Sequence, residues 1–194
     1  MKKNTMELVF ILDKSGSMHG LEADTIGGFN SVIDEQKKLD GEVLVTTVLF
    51  SNNSETVHDR VSIRDIKPMT EQDYRTGGCT ALLDAVGGTI EHIEKIHKYI
   101  RAEDLPEKTM FVITTDGLEN ASRKYKGDQV RKAVERKKEE GWEFIFLASN
   151  IDAAEAAENL GVGAENSEQF EASAAGSRKM FAKACCAISE KRSR

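Results

Sequence analysis

Cysteine is scarce in this sequence, with three residues in 194. Cys79, Cys185 and Cys186 are odd in number and two are adjacent, which excludes a disulfide framework and fits a reducing compartment. A cytoplasmic location is therefore expected. Long apolar runs are lacking too. The first, residues 8–12, is preceded by Glu7 and ended by Asp13, too short for the core of a signal peptide or for a membrane span. Positive charge is not in excess: 27 Lys and Arg stand against 33 Asp and Glu, a net charge of -6, which argues against nonspecific nucleic-acid binding. Nucleotide-binding glycine motifs are absent as well. No G-x-G-x-x-G follows a strand-like run, no G-x-x-x-x-G-K-[ST] occurs, and Gly27-Gly28 and Gly87-Gly88 fall inside helical patterns, where close packing on a sheet explains them. No repeat, low-complexity tract or linker breaks the chain, so residues 1–194 read as one domain.

What is present is an ordinary globular balance, 39% hydrophobic and 31% charged. Strand and helix patterns alternate. Near-continuous apolar stretches at 7–12, 42–50, 109–115 and 142–149 predict strands buried on both faces. The polar run 55–62, after the turn residues Ser51-Asn52-Asn53-Ser54, predicts an antiparallel strand at a sheet edge. Helical spacing marks residues 21–39, 81–100, 128–140, 152–160 and 173–190, and a weak extended segment surrounds Gln169-Phe170. Leu82, Val86, Ile90, Ile93 and Ile100 form the apolar face of the second helix, and Met180, Phe181, Ala184, Cys185 and Ile188 that of the last. The pattern predicts an α/β fold, a mostly parallel, doubly wound, Rossmann-like sheet between two layers of helices. Ligands of such sheets bind beyond the carboxyl ends of the strands.

Three polar clusters fall at those ends: Asp13-x-Ser15-x-Ser17, then Thr76-Gly77-Gly78-Cys79-Thr80, then Thr115-Asp116-Gly117. Each alone reads equally well as a turn or a helix cap. Together they offer carboxylate and hydroxyl oxygens, donors that suit Mg²⁺, Mn²⁺ or Ca²⁺ rather than Zn²⁺.

In this order and at these junctions the clusters resemble the von Willebrand factor A (VWA) domain family, related to integrin inserted domains, over nearly the whole chain. The likeness is to small stand-alone bacterial-type members with a complete metal-ion-dependent adhesion site. It implies that Asp13, Ser15, Ser17, Thr80 and Asp116 hold the metal, with the three hydroxyls as direct donors and the two aspartates acting largely through water or as supports. It also implies a six-stranded sheet with one antiparallel edge strand, and a cation, Mg²⁺ or alternatively Mn²⁺ or Ca²⁺, that bridges to a Glu or Asp carboxylate of a protein partner. A final helix that shifts when ligand binds is a further implication, beside the simpler reading of a rigid core helix. Partners of nucleic-acid or membrane type are not expected.

Other residues near these loops have plainer readings. Asp84, one turn after Thr80, braces the second of these loops, or else is exposed or caps a helix, and Glu119 approaches an ion or faces water. Cys79 is expected to be a small buried thiol, or, if exposed, one that feels the cation. His19 is an incidental loop residue, and His92 and His97, five apart on one helix, miss the spacing of a metal pair and are expected on the surface. The function expected is a metal-dependent binding module that is not an enzyme. A Mg²⁺ phosphatase built on a nucleophilic Asp13 is the alternative, but its acid/base aspartate two residues on is replaced by Ser15. A structural subunit of a larger cytoplasmic assembly is the other.

Overall fold

A computed structural model describes residues 1–193. Its centre is β1 (Lys2–Asp13), whose side chains alternate between two cores. Leu8, Phe10 and Leu12 enter one core with α1 (Glu22–Lys37) and α5 (Ala174–Ser193). Val9 and Ile11 enter the other with α2 (Leu82–Tyr99) and α3 (Gly127–Glu139). All five are 0% exposed, so each contributes roughly 1.5–3 kcal/mol of apolar burial. That double burial is why the run is unbroken in apolar character.

Around β1 lie β2 (Glu42–Phe50), β3 (Ser54–Ser62), β4 (Pro106–Thr115), β5 (Glu143–Ser149) and β6 (Ser167–Phe170), in the order β3-β2-β1-β4-β5-β6. Every pairing is parallel except β2 with β3, which forms the antiparallel edge. The short α4 (Ala153–Leu160) precedes β6. Helices cover both faces, and among the described residues none is long and apolar enough to cross a membrane.

Several details differ from the sequence reading. β1 begins at Lys2, because its polar first residues pair with the start of β4. Ile100 lies past the end of α2 and is partly exposed. Cys185 is half-buried against the α1/α5 core rather than within it. Asp128 sits in the first turn of α3 and does not cap it; the cap position is Lys126.

Strand register positions the site. Asp13 pairs with Phe50 and lies one step beyond the Leu12–Thr114 pair, so the ends of β1 and β4 open side by side. By strand alternation Asp13 shares the face of Val9 and Ile11, the side on which α2 begins just after Thr80. Glu7 shares that face at the other end. It is 0% exposed and accepts from Arg60 Nε at 2.8 and 3.1 Å, with His97 Nε2 at 3.3 Å. His97 is therefore not on the surface: a buried carboxylate recruits it, and its ring meets Trp142 edge-on at 5.4 Å.

Candidate metal centre

Asp13 is wholly buried where β1 ends. Its Oδ1 accepts from the Ser15 amide at 2.7 Å and its Oδ2 from the Thr115 hydroxyl at 2.6 Å. The Tyr74 hydroxyl donates to the Asp13 carbonyl from below. Ser15 Oγ and Ser17 Oγ are 3.0 Å apart, and Ser17 Oγ donates to Asp116 Oδ1. Four of the five expected residues thus form one connected cluster with Thr115.

Thr80 joins it across Gly117. A Cβ placed on Gly117 would stand 3.0 Å from Thr80 Oγ1 and 3.2 Å from Ser17 Oγ. The bare glycine is what lets two hydroxyls from different loops converge there. The first two loops are also laced together: the Gly16 amide donates to the Gly78 carbonyl and the Gly77 amide to the Lys14 carbonyl, both at 2.9 Å. Gly78 takes φ +82°, a left-handed conformation that a side chain strains. The turn it makes carries Cys79 outward, so this thiol is exposed rather than buried. Its amide is held by Asn52 Oδ1 at 2.7 Å.

The third loop is tied to the second. Asn120 Oδ1 accepts from the Thr80 amide at 2.9 Å, and the Asn120 amide donates to the Thr80 carbonyl at 3.0 Å. Glu119 accepts from the Leu83 amide at 2.8 Å, at the start of α2. Asp84 takes the amides of Arg123, Lys124 and Tyr125, each at 2.9 Å. Asp84 is therefore a brace of the third loop rather than of the second, and Glu119 points to backbone amides rather than into the cluster. Tyr74 and Asn120 escaped the sequence reading, which has Asn52 only as a turn residue and names Thr115 in the third cluster without a role. Thr115 alone had a signal, a hydroxyl next to Asp116 at a strand end.

The electrostatics are those of anions short of positive charge. Burial pushes the Asp13 carboxyl up, against the pull of the Thr115 and Ser15 hydrogen bonds. Burial also raises Asp116, and the neighbouring Asp13 charge adds to it while the Ser17 bond opposes it. Asp116 Oδ2 is buried and has no hydrogen-bond partner. An orphaned carboxylate oxygen beside three hydroxyls fits a hard divalent cation, whose preferred ligands are oxygens. Among the described residues no group of three or more His, Cys, Asp or Glu side chains gathers, so any cation here rests on hydroxyl donors beside two carboxylates.

No family model and no curated protein sequence matches the chain. The likeness to known proteins is one of shape. The vWF domain of the type V pili tip protein Mfa5 from Porphyromonas gingivalis superposes with a TM-score of 0.67 at 10% identity, over 98% of this chain and 97% of that one. The manganese-loaded Plasmodium vivax TRAP protein gives 0.65 at 13% identity, over 97% of this chain and 73% of that one. Proximal thread matrix protein 1 from the mussel byssus gives 0.62 at 14% identity, over 95% of this chain; the chain spans 46% of that protein's length. Sheet order, the antiparallel edge and these superpositions together establish that the chain has the fold of a von Willebrand factor type A domain.

Proposed function

We propose that the protein is a divalent-cation-dependent protein-interaction module. Asp13, Ser15, Ser17, Thr80 and Asp116 hold Mg²⁺, or Mn²⁺ or Ca²⁺ in its place, and a Glu or Asp of a protein partner binds there. The observation that carries this reading is the unpaired, buried Oδ2 of Asp116 among converging hydroxyls. When bound, the cation supplies positive charge that a partner's carboxylate oxygen can meet. Three of the five side chains are neutral donors, so the protein itself neutralises that charge incompletely. Thr115 and the Ser15 amide orient Asp13, as outer hydrogen bonds orient metal-site carboxylates generally. The manganese-loaded neighbour of the same fold supports the reading.

The module works without turnover. Ser15 and Ser17 hydrogen-bond to each other and Ser17 to Asp116, and among the described residues no histidine bonds either hydroxyl to serve as a base. Titration of Mn²⁺ followed by electron paramagnetic resonance tests the site. Wild type is expected to bind Mn²⁺, and Asp116→Ala to lose at least ~100-fold in affinity while remaining folded, because the two apolar cores do not depend on it. Equal Mn²⁺ affinity in wild type, Asp13→Ala and Asp116→Ala overturns the assignment. A metal-dependent hydrolysis of generic phosphate esters that vanishes in Asp13→Asn overturns the interaction-module reading.

A further inference from the structure

The loop after Asp116 has its charges sorted by sign. Residues 116–126 carry Asp116 and Glu119 on the acidic side and Arg123, Lys124 and Lys126 on the basic side. Glu119 is consumed internally: Oε1 accepts the Ala121 and Ser122 amides at 2.9 and 2.7 Å, and Oε2 the Leu83 amide and the Ser122 hydroxyl at 2.8 and 2.7 Å. Asp84, facing the loop from α2, is filled by three amides. The side chains of Arg123, Lys124 and Lys126 stand exposed, and among the described residues none of them forms an ion pair. On a chain of net charge -6, this loop turns its acids inward and its cations outward.

Two further features mark the loop as a reading surface. Leu118, two residues past Asp116, is 66% exposed. The other exposed large hydrophobics, Met1, Leu39 and Tyr99, lie where strands begin, at the opposite end of the sheet. The backbone is also fixed. Besides the Asp84 and Asn120 bonds, the Tyr125 ring packs so closely on Gly87 that a Cβ there would meet it at 2.6–3.0 Å. A rigid shelf presents its side chains with little ordering cost on binding.

Building on the metal-dependent reading, we infer that this shelf selects an acidic protein segment: an apolar residue beside the metal-binding carboxylate contacts Leu118, and further Asp or Glu residues meet Arg123, Lys124 and Lys126. The shelf adjoins the cluster at the start of α2: Glu119, three residues past Asp116, holds the Leu83 amide, and Asp84 in the first turn holds the Arg123 and Lys124 amides. The extra acids are therefore expected within a few residues of the metal-binding one.

Panning a displayed peptide library with a fixed central Glu and random flanks tests this, on wild type and on the triple variant Arg123→Gln, Lys124→Gln, Lys126→Gln, in Mg²⁺ and in EDTA. Wild type in Mg²⁺ is expected to enrich Asp and Glu near the central Glu, with an apolar neighbour that Leu118→Ser no longer selects. The triple variant is expected to bind the best acidic peptide about tenfold more weakly, since each exposed ion pair is worth roughly a factor of 1.5 to 5, while its Mn²⁺ affinity stays that of wild type. Absence of acidic enrichment, acidic enrichment undiminished in the triple variant, or tighter binding to single-stranded DNA than to the acidic peptides overturns the inference. Acidic binding that survives EDTA but fails in the triple variant upholds the shelf and removes the metal reading instead.

Discussion

Replacing Asp84 by alanine removes a single acceptor that serves three consecutive amides, those of Arg123, Lys124 and Tyr125. A hydrogen bond to a charged group is worth roughly 1.5–3 kcal/mol. Asp84 is only partly buried, however, so the freed amides recover water, and about 2–3 kcal/mol for all three together is the reasonable sum. For a chain of this length that corresponds to a melting temperature lowered by about 4–10 °C. Asp84→Asn is expected to lose roughly half as much, because an Oδ1 in place can still accept from Lys124 and Tyr125. Partial burial pushes the Asp84 carboxyl up, but the three amides and the Lys124 charge together hold it below its ordinary value. A depressed carboxyl contributes stability above its unfolded pKa and loses it as pH falls through the folded value. The gap between wild type and Asp84→Ala should therefore be full at pH 7 and close below about pH 4. Urea titrations at both pH values measure the gap, and hydrogen exchange over residues 120–125 reports the loop directly. Mn²⁺ affinity should fall by about tenfold or less, far short of Asp116→Ala, since the Asp84 carboxylate bonds to the amides of residues 123–125 and to no residue of the cluster. A variant that melts with wild type and shows unchanged exchange in the loop would refute the bracing role.

Gly117→Ala should fold with a loss of about 1 kcal/mol or less, as the two crowded hydroxyls can shift by a few tenths of an ångström. Its Mn²⁺ affinity should nevertheless drop at least ~tenfold, read by paramagnetic resonance, because Thr80 Oγ1 and Ser17 Oγ are the atoms displaced. At the far end of β1, Glu7→Ala strips Arg60 and His97 of their shared buried carboxylate and should cost roughly 3–5 kcal/mol in urea unfolding. Mn²⁺ binding by the folded fraction should be unchanged, since Glu7 lies six residues down the strand from Asp13.

Strands buried on both faces were legible because such burial leaves a near-unbroken apolar run, as at residues 7–12, 42–50, 109–115 and 142–149, and the edge strand β3 was legible from the turn residues before it and its polarity. β6 was barely legible, since its four residues pair only with the last half of β5 and carry no periodicity of their own. The five cluster residues could be named because the three motifs come in a fixed order; four of the five lie at or just past the ends of β1 and β4, whereas Thr80 lies just before α2, far from the end of β3. Their supports could not. Tyr74 reaches Asp13 across 61 positions, and Asn120 reaches Thr80 across 40, with nothing local to announce either contact. Two errors have one origin each in tertiary structure. Cys79 looks like a core thiol until the left-handed Gly78 turns it out, and His97 looks like a surface residue until the buried Glu7 is seen to need a partner. Glu7 itself was visible as a charge beside an apolar run, and such a charge asks at once which cation answers it.

Near the strand ends four carboxylates lie within a few residues of one another in space, and what separates their roles is which lone pairs remain free. Both oxygens of Asp84 and both of Glu119 accept backbone amides, so these two hold loops in place. Asp13 accepts one hydrogen bond on each oxygen and is fixed in orientation. Asp116 alone keeps a buried oxygen without a donor. An unsatisfied buried acceptor costs roughly 1–3 kcal/mol, and more when charged. Thr5, Thr25 and Thr47 Oγ1 and His58 Nδ1 are also buried without partners, but among these atoms only Asp116 Oδ2 belongs to a carboxylate. The bracing loops prevent the obvious relaxation, in which Asp116 swings to an amide as Glu119 and Asp84 do. Rigid supports around an unpaired anion are what a cation site requires before the cation arrives, and a carboxylate oxygen left without a donor is the reason to look for the cation there.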